Sequence, residues 1–130
     1  MFVLDTNTLI YYFKGLGNVA HNLLAVSPED IGVPTIVLYE LAVGIKKSNS
    51  PQKRIKQLND FISSVNILPF GQMEAEATAR IREQLEKKGT PIGPYDILIG
   101  GTALCIHATL VTHNLKEFTR IKDLNVIDWY

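Results

Sequence analysis

Residues 2–13, FVLDTNTLIYYF, contain the pattern that decides the fold. An apolar run of three residues ends at Asp5, polar Thr6 and Asn7 follow, and a second apolar stretch then continues toward Gly15. The first run is typical of a short buried strand, and the second is typical of a short helix that a glycine ends. The segment therefore predicts a strand followed directly by a helix, with a carboxylate at the junction.

The same alternation of short apolar runs and helical segments continues to the end of the chain. Helices between strands supply the crossover connections that parallel strands need. We therefore predict an α/β fold, with a mostly parallel central sheet and helices on both of its faces. The further predicted strands are 31–33, 65–68, 109–112 and an edge strand at 126–127, and the further helices include 19–26, one that begins at 34–35, 96–108 and 115–121.

The apolar positions of the helices predict which of their faces enter the core. The helix from 96 to 108 also contains Gly100 and Gly101, a pair that weakens helices and therefore indicates close packing against a neighbouring backbone. The predicted core stripes are Leu38, Leu41, Ala42 and Ile45 in one helix, Ile55, Leu58, Ile62 and Val65 in the next, and Met73, Ala77, Ile81 and Leu85 in a third.

Length and composition are those of an ordinary folded domain. The chain has 130 residues, of which 46% are hydrophobic and 20% charged, so we expect a single domain over residues 1–130. The single Cys105 excludes an internal disulfide and a cysteine metal cluster, which is typical of a reducing cytoplasm. The N-terminal segment lacks a basic region, and the weakly polar run 97–112 is too short to span a membrane. We therefore expect a cytoplasmic protein without a membrane association.

Four polar residues, far apart in the sequence, follow or adjoin predicted strand ends. Asp5 and Asn114 each stand where an apolar strand ends, Glu40 lies in the second turn of the helix after another strand, and Asp96 stands where a helix begins. The carboxyl ends of parallel strands share one edge of a sheet, where α/β proteins bind ligands. These side chains are therefore predicted to converge, although Asp96 alone is also explained as an acid that helps its own helix to start.

Three carboxylates in one crevice repel one another, and a divalent cation removes that repulsion. Oxygen ligands favour Mg²⁺ or Mn²⁺, whereas His21, His107 and His113 lack the partner spacing that zinc requires. Such a metal activates water for attack on a phosphodiester, so hydrolysis of a phosphate ester is the predicted reaction class. A dehalogenase-type phosphatase is a poorer fit, because its second acid would stand where this chain has Asn7.

Four segments in order resemble the PIN domain of the bacterial VapC toxin type. They are LDTN at 4–7, IGVPTIVLYELAVG at 31–44, PIGPYDILIGGTA at 91–103 and VTHNLKEF at 111–118. The resemblance implies a single PIN domain, a three-layer sandwich that acts as an endoribonuclease toxin dependent on Mg²⁺ or Mn²⁺. It also implies a structured RNA substrate such as tRNA, a VapB-type antitoxin that neutralises the toxin, and a homodimer.

The resemblance also implies roles for individual residues. Asp5, Glu40 and Asp96 match the acidic triad that binds the metal and catalyses cleavage, and Asn114 matches a fourth catalytic position where many members carry Asp. The supporting candidates that the resemblance suggests are Thr6, Asn7 and Thr112, with Glu117 as a peripheral one.

Two other functions and the place of RNA binding are left open by the residues. The chain could be a non-catalytic PIN-like module that binds RNA or protein, or a housekeeping nuclease that processes RNA. Thirteen basic residues balance thirteen acidic ones, so any RNA affinity must come from local positive charge. We predict that the region from Lys46 to Lys56 provides it.

Overall fold

Five short parallel strands form the central sheet of the computed structural model, which describes residues 1–130. β1 is the middle strand, with β2 and then β3 on one side and β4 and then β5 on the other. The predicted edge strand is confirmed, because β5 pairs with β4 alone. The strands are β1 (Phe2–Leu4), β2 (Ile31–Pro34), β3 (Asn66–Leu68), β4 (Thr109–Val111) and β5 (Asn125–Ile127).

Seven α-helices and one short 3-10 helix, Pro28–Asp30, connect the strands. None of these helices has both the length and the apolar character that crossing a membrane would require. The α-helices are α1 (Thr6–Lys14), α2 (Val19–Leu24), α3 (Thr35–Lys46), α4 (Pro51–Ile62), α5 (Gln72–Lys87), α6 (Pro94–Cys105) and α7 (Leu115–Phe118).

Both faces of the sheet are covered. Successive residues of a strand point to opposite faces. In β1, Val3 and Leu4 are both fully buried, and in β4 Leu110 and Val111 are as well. The predicted fold class, a parallel sheet with helices on both faces, is therefore confirmed.

The register of the sheet brings several strand ends to one edge, which we call the carboxyl edge. Leu4 pairs with Val111, and the backbone N–H of Asp5 donates to the carbonyl oxygen of Val111 at 3.2 Å. Because all five strands run parallel, the residues that follow β1 and β4 lie beside each other. The segments that carry Asp5 and Asn114 therefore meet at this edge.

Some predicted boundaries and core positions are wrong. Helix α1 begins at Thr6 because the side chain of Asp5 caps it, and α6 ends at Cys105, before the predicted Ala108. Met73, in the first turn of α5, is 68% exposed, so it does not belong to the core. Ala42 is exposed as well, because it is turned about 100° from the buried Leu41 around the helix.

Close packing at the paired glycines is confirmed for one of them. A Cβ atom on Gly101 would lie only 3.2 Å from the Cα atom of Thr78 in α5, and closer still to the hydroxyl of that residue. A Cβ atom on Gly100 would instead meet the side chain of Ile121. Gly101 therefore lets α5 and α6 approach, which fixes α6, and with it Asp96, against the rest of the fold.

Candidate functional site

Asp5 stands at the carboxyl edge and also begins a helix. Its Oδ1 atom accepts a hydrogen bond from the backbone N–H of Thr8 at 2.9 Å, so the carboxylate is the N-cap of α1. The residue is only 5% exposed, and this burial raises its pKa, while hydrogen bonding from Thr112 and Thr8 lowers it in part. The fold therefore holds one rigid, costly negative charge at the end of β1.

Glu40 reaches the same edge from α3. The hydroxyl of Thr6 donates a hydrogen bond to its Oε1 atom at 2.7 Å. Thr6 is the first residue of α1, directly after Asp5, so this contact ties the second turn of α3 to the start of α1. One oxygen of Glu40 is thereby held in place, and the supporting role predicted for Thr6 has a physical basis.

Asp96 faces the other acids from the first turn of α6. Its pKa is raised to about 6, first by burial and then by the negative charges of Asp5, Glu117 and Glu40. Hydrogen bonding contributes nothing to this shift, so the carboxylate is not a cap that satisfies the helix N–H groups. The explanation of Asp96 as a helix-starting residue is therefore insufficient, because burial and, after it, the charges of three neighbouring acids act on its carboxylate.

Asn114 is held by two contacts at the end of β4. Its backbone N–H donates to the hydroxyl of Thr112 at 3.0 Å, and its side-chain Nδ2 donates to Oε2 of Glu117 at 3.1 Å. The amide nitrogen is therefore engaged, and the amide oxygen stays available as an acceptor. Thr112 is completely buried, so this turn is firmly anchored.

Glu117 is a closer part of the site than its peripheral ranking from the sequence suggests. It positions Asn114, and its charge acts on Asp96. Asn114 and Glu117 are three residues apart, so both lie on one face of a helical turn. This spacing is the feature of the sequence that could have indicated their contact. Asn7, in contrast, is exposed and takes no part in the hydrogen bonds that hold Asp5 and Glu40.

Asp128 is a further acid that sequence reasoning missed. It follows β5 directly, as Asp5 follows β1, and its charge contributes to the raised pKa of Asp5. Its Oδ2 atom lies 2.8 Å from Nδ1 of His113, whose ring stacks on Tyr130 at a centroid distance of 4.4 Å. The strand-end position was the available signal, and it was overlooked because the strand is short and at the edge.

The donor chemistry of the site suits a hydrated hard cation. No three of the His, Cys, Asp and Glu side chains lie close enough together to enclose a metal ion. Mg²⁺ usually keeps several of its waters and takes only one or two carboxylates directly, so it does not need such a cage. The acids whose charges act on Asp96 would therefore suit Mg²⁺ or Mn²⁺, which would offset their negative charge.

Comparison with known proteins agrees with this geometry. Residues 2–124 match the model of the PIN domain. The chain belongs to the PIN-domain family. A relative from Salmonella typhimurium, named tRNA(fMet)-specific endonuclease VapC, is 36% identical over 128 residues, which are 98% of this chain and 97% of the relative. Ribonuclease VapC2 of Rickettsia felis is 34% identical to this PIN domain over 99% of the chain and 98% of its own length.

Solved structures extend the similarity to the whole fold. The PIN domain superimposes with a TM-score of 0.92 on a chain from the crystal structure of VapBC2 from Rickettsia felis bound to a DNA fragment from its promoter, at 34% identity over 99% of this chain and 98% of that one. The TM-score is also 0.92 for DNA-bound VapBC from Salmonella typhimurium, at 35% identity and with the same coverage of both chains. The resemblance to VapC-type PIN domains predicted from the sequence is therefore confirmed.

Proposed function

We propose that residues 1–130 form one PIN domain that acts as an endoribonuclease toxin, dependent on Mg²⁺ or Mn²⁺, and hydrolyses phosphodiester bonds in structured RNA. The observation that carries this proposal is the convergence of Asp5, Glu40 and Glu117 around Asp96, whose pKa they raise. The names of the relatives support ribonuclease activity. The name of the Salmonella relative makes initiator tRNA the first substrate to test.

Asp5, Glu40 and Asp96 are the residues that would hold the cation. When bound, a divalent cation offsets the charge of the acids and of the phosphate and makes a water more acidic. Asp5 contributes from a fixed position, because its Oδ1 atom accepts a hydrogen bond from the backbone N–H of Thr8 in α1. Glu40 contributes the oxygen that Thr6 does not engage.

Asn114 would act on the attacking water, and Glu117 would act through Asn114. In hydrolysis, the oxygen of a water attacks phosphorus, one bond from phosphorus to a ribose oxygen breaks, and that oxygen takes up a proton while the water loses one. The free amide oxygen of Asn114 is an acceptor that can orient this water. Glu117 keeps the amide in the required orientation.

Loss of the Thr6 hydroxyl should slow cleavage. We expect Thr6→Val to lower kcat/KM by about 10-fold, because Glu40 loses the group that orients it. Thr6→Ser, which keeps the hydroxyl, should stay within about twofold of the unchanged protein. Steady-state cleavage of a fluorescent RNA measures both, and equal rates for the Val and Ser variants would contradict the role assigned to Thr6.

RNA binding should depend on positive charge beside the acids. Lys46 and Lys47 are exposed at the end of α3, and the neighbouring cleft that starts at Glu40 is also lined by Lys14 and Arg54. We expect the double variant Lys46→Glu, Lys47→Glu to weaken RNA binding and to reduce its dependence on salt by about two phosphate contacts. Fluorescence anisotropy over a salt series measures this, with Lys87→Glu and Lys88→Glu as the control pair. An unchanged salt slope would count against the placement.

We also propose a VapB-type antitoxin as partner and a homodimer as the assembly. Support for the antitoxin comes from the similar solved structures, which are VapBC complexes. Expression of the chain alone should arrest growth, and expression together with a VapB-type antitoxin that binds the chain should restore growth. Sedimentation of the purified protein measures the assembly.

The function itself is tested by incubating purified protein with bacterial RNA in Mg²⁺, in Mn²⁺ and in EDTA, and by sequencing the RNA ends that appear. We expect defined new ends that EDTA suppresses. Binding without any new ends would support the non-catalytic module instead. Cleavage without growth arrest on expression would support a housekeeping nuclease.

A further inference from the structure

A tyrosine directly precedes two of the three acids. Tyr39 comes before Glu40 in α3, and Tyr95 comes before Asp96 in α6. In the fold the two rings meet, with centroids 5.7 Å apart at an angle of 63° and with hydroxyl oxygens 3.5 Å apart. We call these two residues the tyrosine pair. Helices α3 and α6, which carry two of the acids, therefore also bring two aromatic rings into contact.

Both rings of the tyrosine pair are exposed to solvent, and neither belongs to the hydrophobic core. Tyr39 is 52% exposed and Tyr95 is 43% exposed, whereas most aromatic rings of the chain are half-buried or buried. An edge-to-face arrangement uses the edge of one ring and one face of the other, so ring surface stays free for a further partner. Large exposed apolar surface of this kind is typical of binding sites.

The tyrosine pair also lies beside the acids, because Tyr39 and Tyr95 are the sequence neighbours of Glu40 and Asp96 and their rings meet. A second aromatic cluster, formed by Tyr11, His113 and Tyr130, is closed on itself by stacking and edge contacts. The tyrosine pair therefore combines exposed ring surface with direct sequence neighbours, Glu40 and Asp96, that are candidate metal ligands.

We propose that the tyrosine pair stacks an unpaired nucleobase of the RNA next to the phosphate that is cleaved. This inference rests on the nuclease function proposed above and names residues that position and select its substrate. Proteins that read single-stranded RNA stack unpaired bases on aromatic side chains. A neutral base fits beside the acids, where a second phosphate would be repelled. The tyrosine pair would therefore favour cleavage in loops over cleavage in helices.

The test compares Tyr39→Leu, Tyr95→Leu with Tyr39→Phe, Tyr95→Phe. Leucine keeps apolar bulk but removes the ring, whereas phenylalanine keeps the ring. Binding is measured by anisotropy in EDTA and at low salt, with a single-stranded RNA heptamer and with the same heptamer lacking its central base. Tyr130→Leu is the location control, because Tyr130 is similarly exposed, at 42%, and also paired.

We expect the Leu double variant to bind the intact heptamer about 10-fold more weakly, and the Phe double variant to bind it within about twofold of the unchanged protein. The heptamer without its central base should bind equally to all of them. Tyr130→Leu should leave binding of the intact heptamer unchanged. Melting temperatures should stay close together, because both tyrosines are exposed.

The outcomes separate this inference from the nuclease function. If the unchanged protein cleaves RNA but the Leu variant binds the heptamer as well as it does, the stacking role is wrong and the nuclease function stands. A binding loss without cleavage by the unchanged protein overturns the nuclease function alone. If the Leu variant changes only the sedimentation of the protein, the tyrosine pair belongs to a protein contact, and the inference is wrong.

Discussion

Asp96→Asn should abolish RNA cleavage, with a loss of at least about 100-fold, while the folded protein becomes more stable at neutral pH. Asparagine keeps the size of the side chain but removes the charge that would bind the cation. In the absence of a cation, that charge is unfavourable, because burial and three neighbouring acids raise the pKa of Asp96 from 3.8 to about 6.

The sign of the stability change follows from this shift. An acid with a raised folded-state pKa contributes stability below the pKa of the unfolded chain and loses it as the pH rises through the folded value. At pH 7.5 the ionised Asp96 therefore costs free energy, about 1 kcal/mol after allowance for its partial exposure to solvent. We expect Asp96→Asn to raise Tm by about 3 °C at pH 7.5 in EDTA.

The control for this prediction is the same measurement at pH 4. Asp96 is protonated there in the folded protein, so the variant and the unchanged protein should melt at nearly the same temperature. Differential scanning calorimetry measures both conditions. Full cleavage activity of the variant would contradict the proposed mechanism, and a lower Tm at pH 7.5 would contradict the electrostatic repulsion at the site.

Asp5→Asn and Asp5→Ala should both lose cleavage activity, but only Asp5→Ala should lose stability. Both remove the carboxylate, so we expect each to reduce cleavage by at least about 100-fold. Asparagine is as good an N-cap as aspartate and can still accept the hydrogen bond from the N–H of Thr8. Alanine leaves that buried N–H without a partner, which should cost about 1–3 kcal/mol.

Urea unfolding separates the two effects. The midpoint of Asp5→Asn should stay at or above that of the unchanged protein, because a buried charge with a raised pKa is removed. The midpoint of Asp5→Ala should fall. Equal midpoints for the two variants would show that the cap contributes little, and retained cleavage in either would remove Asp5 from the candidate metal ligands.

Much of the fold was predictable because its signals are local. Apolar runs separated by helical segments indicate parallel strands with crossover helices, and β1 to β5 are found at the predicted places. The errors concern residues whose burial depends on neighbouring helices or strands. Met73 has the spacing of a core residue but is 68% exposed, and no local pattern shows which turns of a helix its neighbours cover.

The candidate site was predictable to a similar degree. Polar residues that follow or adjoin strand ends pointed to Asp5, Glu40, Asp96 and Asn114, and the resemblance to the family suggested their roles. Asp128 follows the same rule after β5 but was missed, because a three-residue edge strand is a weak signal. Glu117 was ranked too low, because its contact with Asn114 and its charge on Asp96 appear only when α7 is placed.

The amino-acid sequence by itself determined the order of strands and helices, the type of sheet and the candidate residues for the proposed chemistry, because these depend on side-chain type and spacing along the chain. Only the tertiary structure decided what each acid does. It made Asp5 a helix cap as well as a charge, and it showed Asp96 to be an acid repelled by its neighbours rather than a helix cap. Distances between atoms far apart in sequence set hydrogen bonds and pKa values, and only the packing of the sheet and helices fixes those distances.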